Sequence, residues 1–240
     1  MDIIVELVSN KEYLTNYINY CKKNDAANLF RLETRKDMFK NTSKFDYPKT
    51  FLNSIEPLKL NIKNDIRMII FLYRWFEIQR ICKEINDNNN VTYIRSDLYA
   101  TLPNLETLAS LSSKYQFIVS RKYKIKSIKL PILKRFFLKD HMFDGLVVSK
   151  AKSLRLVYSK ILQQMLQIKT NFKGSKELLI LKKTLNDISL NTPSIQFYGY
   201  YPEQILKMSF GARLYQHDCK DMIWSPYKPL GLKDKIFRVH

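Results

Sequence analysis

One stretch, from Asn64 to about Ile85, constrains the fold more than any other. Phe71, Trp75, Ile78, Cys82 and Ile85 recur at steps of four, three, four and three, the spacing of a single apolar stripe along an α-helix. Ile66, Ile69, Tyr73 and Phe76 widen that stripe. A helix that is apolar around most of its circumference must be covered on most of its sides. Its most apolar run, "MIIFLYRWF", is flanked by Arg67, interrupted by Arg74 and about half as long as a bilayer span requires. The helix therefore predicts a protein core, and the polar "NDNNN" ends it.

The other segments supply candidate cover. "IIVELV" reads as a strand and the chain from about Lys11 as a helix. "NDAANLFRLETRKDMF" reads as a second helix and "NTSKFDYPKT" as a loop. After the long helix, "VTYI" has the β-branched and aromatic character of a short strand, and Ser96 can cap a helix through "DLYATL". Pro103 and Asn104 open a further helix, "LETLASLSSKY", and "QFIV" reads as a strand. The expected class is α+β and helix-rich, with a winged-helix-like segment over residues 64–133. In that segment Asn104, Thr107, Ser110 and Lys114 would face outward from a recognition helix. A second amphipathic helix is predicted from near Ser149 to about Lys169, where Ala151, Leu154, Tyr158, Ile161, Met165 and Ile168 form one seam. The C-terminal "SIQFYGYYPEQILKMSFGARLYQ" has β character and dense aromatics. This organisation divides into an N-terminal strand and helix segment (1–60), a basic helix-rich core (61–190) and an aromatic C-terminal segment (191–240), possible parts of one domain.

Charge is distributed unevenly over these segments. The net charge is +19, and residues 114–183 hold 18 basic residues against three acidic ones. Residues 1–113 carry 16 against 14, and residues 184–240 carry 7 against 5. A general lysine bias would raise the charge everywhere, so the concentration predicts a surface for a polyanion. The candidate contacts are Lys114, Arg121, Lys122, Lys124, Lys126, Lys129, Lys134, Arg135, Lys139, Lys152 and Arg155. Lys122, Lys124 and Lys126 alternate with Tyr123 and Ile125, the period of a half-buried strand, and the alternation faults near Ser127.

Catalytic signatures are sparse. With five glycines and no G-x-x-x-x-G-K-[ST] or G-x-G-x-x-G pattern, neither a P-loop nor a dinucleotide fingerprint is present. Cys21, Cys82 and Cys219 are odd in number and widely separated, which fits reduced thiols and a soluble, intracellular protein. The acids Asp140, Asp144 and Glu177 stand alone in the basic segment and suggest a metal-dependent nuclease as a secondary reading. The expectation from the sequence is a non-enzymatic nucleic-acid-binding protein with DNA or RNA as partner, no cofactor and no membrane. A structural component of a virion or ribonucleoprotein, with protein partners in a larger assembly, is the alternative.

Overall fold

The structure is a computed structural model. It describes residues 2–6, 28–32, 46–62, 65–95, 98–100, 110–112, 116–121, 142–172, 197–198, 200, 202–211, 214–217 and 222–224.

A six-stranded sheet organises the fold. Its strands are β1 (Asp2–Glu6), β2 (Asn28–Leu32), β3 (Asn90–Arg95), β5 (Phe117–Arg121), β6 (Met142–Lys150) and β7 (Leu214–His217), in the order β2-β1-β3-β6-β5-β7. β1 pairs in parallel with β2 and β3, and β5 in parallel with β7. β6 is antiparallel to both β3 and β5. Five strands thus run one way and β6 runs against them. A separate two-stranded ribbon joins β4 (Leu98–Ala100) to β8 (Met222–Trp224).

One face of the sheet is packed by helices. α2 (Ile66–Cys82) follows α1 (Lys49–Ile55) and a short 3-10 turn, and it buries residues around most of its circumference, as its sequence predicts. Trp75 lies against Tyr93 of β3, with ring centroids 5.8 Å apart, and meets Phe210 edge-on at 5.9 Å. Phe210 ends α5 (Pro202–Phe210) and stacks on Phe117, the first residue of β5, at 4.3 Å. α4 (Val157–Phe172) packs between α2 and α5 through Val157, Ile161 and Met165, all fully buried. Each such side chain contributes about 1.5–3 kcal/mol on leaving water. Ile3, Thr92, Ile94 and Val148 are at most 1% exposed as well. Their registered partners place them on the opposite face, so the sheet is buried on both sides.

Several local expectations change in this setting. The chain over 28–32 is an edge strand beside β1 and not a helix, because Asn28–Leu32 gains a full parallel ladder. Leu98–Ala100 forms β4, not a helix capped by Ser96, since it pairs with a segment more than 120 residues downstream. The helix predicted from Ser149 begins at Ala151 and is split: α3 (Ala151–Leu154) ends at Arg155, and α4 starts at Val157. Residues before it form β6, a strand the sequence reading leaves out. Within 64–133, β3 and β5 do not pair with each other; β6 lies between them. The described part of that segment therefore joins a larger sheet. α5 likewise interrupts the C-terminal stretch read as β. Among the described residues no helix is long and apolar enough to cross a membrane.

Candidate functional site

The sheet has two chemically different edges. The strands that run with β1 begin at Asp2, Asn28, Asn90, Phe117 and Leu214, and end at Glu6, Leu32, Arg95, Arg121 and His217. The amino edge opens without a basic residue on any of these strands, whereas β3, β5 and β7 each finish on one. From β1 the chain pairs first with β2 on one side and then with β3 on the other. That reversal makes the β1/β3 seam a topological switch point, and open α/β sheets bind ligands in the crevice beyond the carboxyl ends at such a seam.

Arg95 occupies the last position of β3, registered against Glu6 at the end of β1, and its side chain is 5% exposed. It is held by interactions within the fold. The ribbon follows this edge in the chain. β4 begins at Leu98, directly after β3, and its partner β8 begins at Met222, five residues beyond the end of β7. Five residues reach about 17 Å, and three strand spacings of about 4.8 Å separate β7 from β3. The ribbon therefore joins the segment that follows β3 to the segment that follows β7.

The amino edge is a closed polar staple. Arg155 Nη2 donates to Cys82 O at 2.8 Å and Ile85 O at 3.2 Å, and its guanidinium pairs with Asp87 at 2.7 Å. Cys82 O ends α2, where the last turn leaves acceptors without helical partners, and Ile85 O lies in the link that follows it. Ala151 N–H donates to Asn89 O at 2.9 Å, and Asn89 Nδ2 donates to the buried Asp2 carboxylate at 3.0 Å. The start of β1, the end of β6 and the end of α2 are thus fastened together.

Reactive side chains in the described core are held inert. Burial pushes the Cys82 thiol up to about 12, with Arg155 opposing and Asp2 reinforcing the shift, so it stays protonated at neutral pH. Burial also raises the Tyr47, Tyr73 and Tyr158 hydroxyls to about 12. Tyr73 is raised further by Glu77 through charge and a hydrogen bond, and Tyr158 shares a 2.5 Å hydrogen bond with Ser54 Oγ. Among the described residues no three His, Cys, Asp or Glu side chains are grouped to hold a metal ion.

The residues proposed from charge do not form one surface. Arg121 ends β5 on the carboxyl edge, while Arg155 staples the amino edge, at the far end of the strands. Lys152 is exposed on α3 beside Arg155, again at the amino edge. Lys114, Lys122, Lys124, Lys126, Lys129, Lys134, Arg135 and Lys139 lie outside the described residues, as do Asp140 and Glu177. Asp144 is a residue of β6. Arg95 escapes a reading based on charge density because it sits in the nearly neutral N-terminal half. The signal that finds it is position: a basic residue closing a β-branched strand.

No family model and no curated protein matches the sequence. Solved structures similar to the chain include a glycosyltransferase involved in the glycosylation of the major capsid of PBCV-1. It is 9% identical, with a TM-score of 0.44, over 90% of this chain and 81% of that one. The glycosyltransferase GlyE of Streptococcus pneumoniae is 12% identical, with a TM-score of 0.41, over 90% of this chain and 45% of that one. Mouse xyloside xylosyltransferase 1 is 9% identical, with a TM-score of 0.42, over 91% of this chain and 72% of that one. Each activity is that of the protein named. The expectation of a non-enzymatic nucleic-acid-binding or ribonucleoprotein component with a DNA or RNA partner is corrected here. The described members of the basic segment are divided between opposite edges of one sheet and so form no single polyanion surface.

Proposed function

We propose that this chain is a sugar transferase that binds a nucleoside-diphosphate sugar in the crevice at the carboxyl edge of the sheet. The observation that carries the reading is the run of basic residues, Arg95, Arg121 and His217, closing β3, β5 and β7 beside the β1/β3 switch point. A guanidinium offers paired N–H donors that match phosphate oxygens, and a site largely removed from water strengthens each such contact.

In sugar transfer the bond between the anomeric carbon and the phosphate oxygen breaks. A bond to an acceptor hydroxyl forms, and that hydroxyl gives up its proton. Negative charge grows on the leaving diphosphate, so cations fixed beforehand at that position stabilise the transition state more than the ground state. Arg95 is the residue assigned to that role. Burial and its engagement within the fold give it a fixed position.

Calorimetric titration of the full chain with UDP, GDP, ADP, CDP and inorganic pyrophosphate tests the proposal. Saturable binding of at least one nucleoside diphosphate is expected, followed by release of that diphosphate from the matching sugar nucleotide when an acceptor is supplied. Absence of binding by every probe, pyrophosphate included, would overturn it.

A further inference from the structure

The antiparallel strand of the sheet is irregular where it enters. Against β5, Val147 pairs with Val119 but Phe143 pairs with Ser120, so Asp144, Gly145 and Leu146 have no counterpart there. Against β3 the ladder holds as far as Leu146, which stands opposite Ile94. One further step of the same register sets Gly145 opposite Arg95, the last residue of β3. β6 thus swells between the ends of two neighbouring strands, and a glycine within a strand is a usual mark of such a bulge.

The registers also fix the level at which the swelling lies. Arg121 ends β5 opposite Met142, the first residue of β6, and Arg95 ends β3 one residue beyond Ile94. Asp144 lies between Met142 and Gly145, so its backbone stands at the carboxyl edge, between the two strands that end on arginine. On the other side of Arg95, Glu6 is its registered partner on β1. From β1 across to β5 the edge therefore carries Glu6, Arg95, Asp144 and Arg121, an alternation of acid and base. A diphosphate seated at Arg95 carries its sugar on one of its own oxygens, and neighbouring strands are about 4.8 Å apart. The sugar is thereby held beside Asp144, at a range where charge acts whichever way the side chain is turned. The screening length in physiological salt is about 8 Å, and charges in a crevice are screened less than exposed ones.

We propose that Asp144, with Glu6 in support, sets the class of donor: the crevice admits a sugar without charge and refuses a uronic acid. This rests on the function proposed above. A neutral sugar offers hydroxyl donors to a carboxylate, whereas a sugar carboxylate meets it as a like charge and gains nothing in exchange.

Calorimetric titration of the full chain with inorganic pyrophosphate and two matched pairs of sugar phosphates tests this. The pairs are glucose 1-phosphate against glucuronic acid 1-phosphate, and galactose 1-phosphate against galacturonic acid 1-phosphate. No probe carries a base, so the affinity ratio within a pair reads the charge of the sugar. The parent is expected to bind the neutral member of at least one pair about ten-fold more tightly than its uronate. Asp144→Asn should narrow that ratio to about three-fold, and the double variant with Glu6→Gln to about two-fold or less, while Asp144→Glu keeps the parental ratio. An acid that only pairs with a neighbouring arginine would shift the affinity of every probe together in Asp144→Asn and leave the ratio intact, which would overturn the inference. So would a parent that takes both members of a pair equally, prefers the uronates, or binds pyrophosphate but no sugar phosphate. If pyrophosphate and the nucleoside diphosphates all go unbound, the proposed function fails and this inference falls with it. If pyrophosphate binds and the ratio is absent, only the inference fails.

Discussion

The two ends of the central sheet each hold an arginine, Arg95 buried and Arg155 half-buried. At the amino edge Arg155 grips Cys82 O, Ile85 O and Asp87, all from the end of α2 and the link that follows it. At the carboxyl edge Arg95 closes β3 at the switch point, and the chain continues from there into a ribbon drawn from two distant segments. The difference shows why charge alone is a poor guide to a site. The acceptors around Arg155 take up its guanidinium within the fold, whereas Arg95 is the arginine to which the proposed function gives a ligand.

The largest effect that sharpens the comparison comes from alkali, which acts on the helical side and the amino edge. Cys82 has a usual pKa of 9.0 and is held at about 12, and Tyr47, Tyr73 and Tyr158 rise from 10.0 to about 12. A raised folded-state pKa means that the native chain keeps a proton the unfolded chain has lost. The associated stability is complete below pH 9 and drains as pH rises toward 12. Denaturant midpoints should therefore fall steeply from pH 9 to 12, with the onset moving to about pH 10 in Cys82→Ala. Midpoints that stay level over this range would contradict the buried placement of these groups.

Next in size is Arg155→Ala. It removes two carbonyl acceptors' partner and a carboxylate's partner at once, and should cost about 3 kcal/mol in denaturant unfolding while leaving nucleotide affinity unchanged. A change in affinity would break the division of labour between the edges. Arg95→Met should do the reverse in emphasis. The expected result is a ten- to hundred-fold loss of nucleoside-diphosphate affinity, about 1.4–2.8 kcal/mol by calorimetry, and parental affinity in this variant would remove Arg95 from the site. The smallest effect belongs to Asp87→Asn. The Asp87 side chain is 57% exposed, so its pairing with Arg155 is worth at most about 1 kcal/mol, read as a slight drop in unfolding midpoint.

Much of the local structure is legible from residue order. The periodic apolar stripe places α2 within a few residues, and "IIVE", "VTYI" and "QFIV" mark β1, β3 and β5. The omitted strand, β6, illustrates the limit. "LVVS" is followed without a break by the amphipathic pattern of α3 and α4, so the helix signal absorbs the end of the strand. β4 fails differently: "LYA" has little preference of its own, and Met222–Trp224 decides its state from the far end of the chain.

The candidate site was less legible than the core. Arg121 belongs to it by sequence charge and by position, whereas Arg95 and His217 stand out only after the strands are ordered and their ends aligned. The charge cluster itself, 18 basic residues over 114–183, is a real property of the sequence, but β5, β6 and α3 carry its described members to opposite edges.

What the amino-acid sequence determined unaided is what depends on neighbours a few residues apart: helical stripes, strand alternation and the composition of a buried core. Tertiary structure alone decided which strand ends share an edge, because strand pairing joins residues as distant as Asp2 and Val91, or Ala100 and Met222. Hydrogen bonding between strands is indifferent to separation along the chain, so a site built from strand ends acquires its chemistry only when the sheet is assembled.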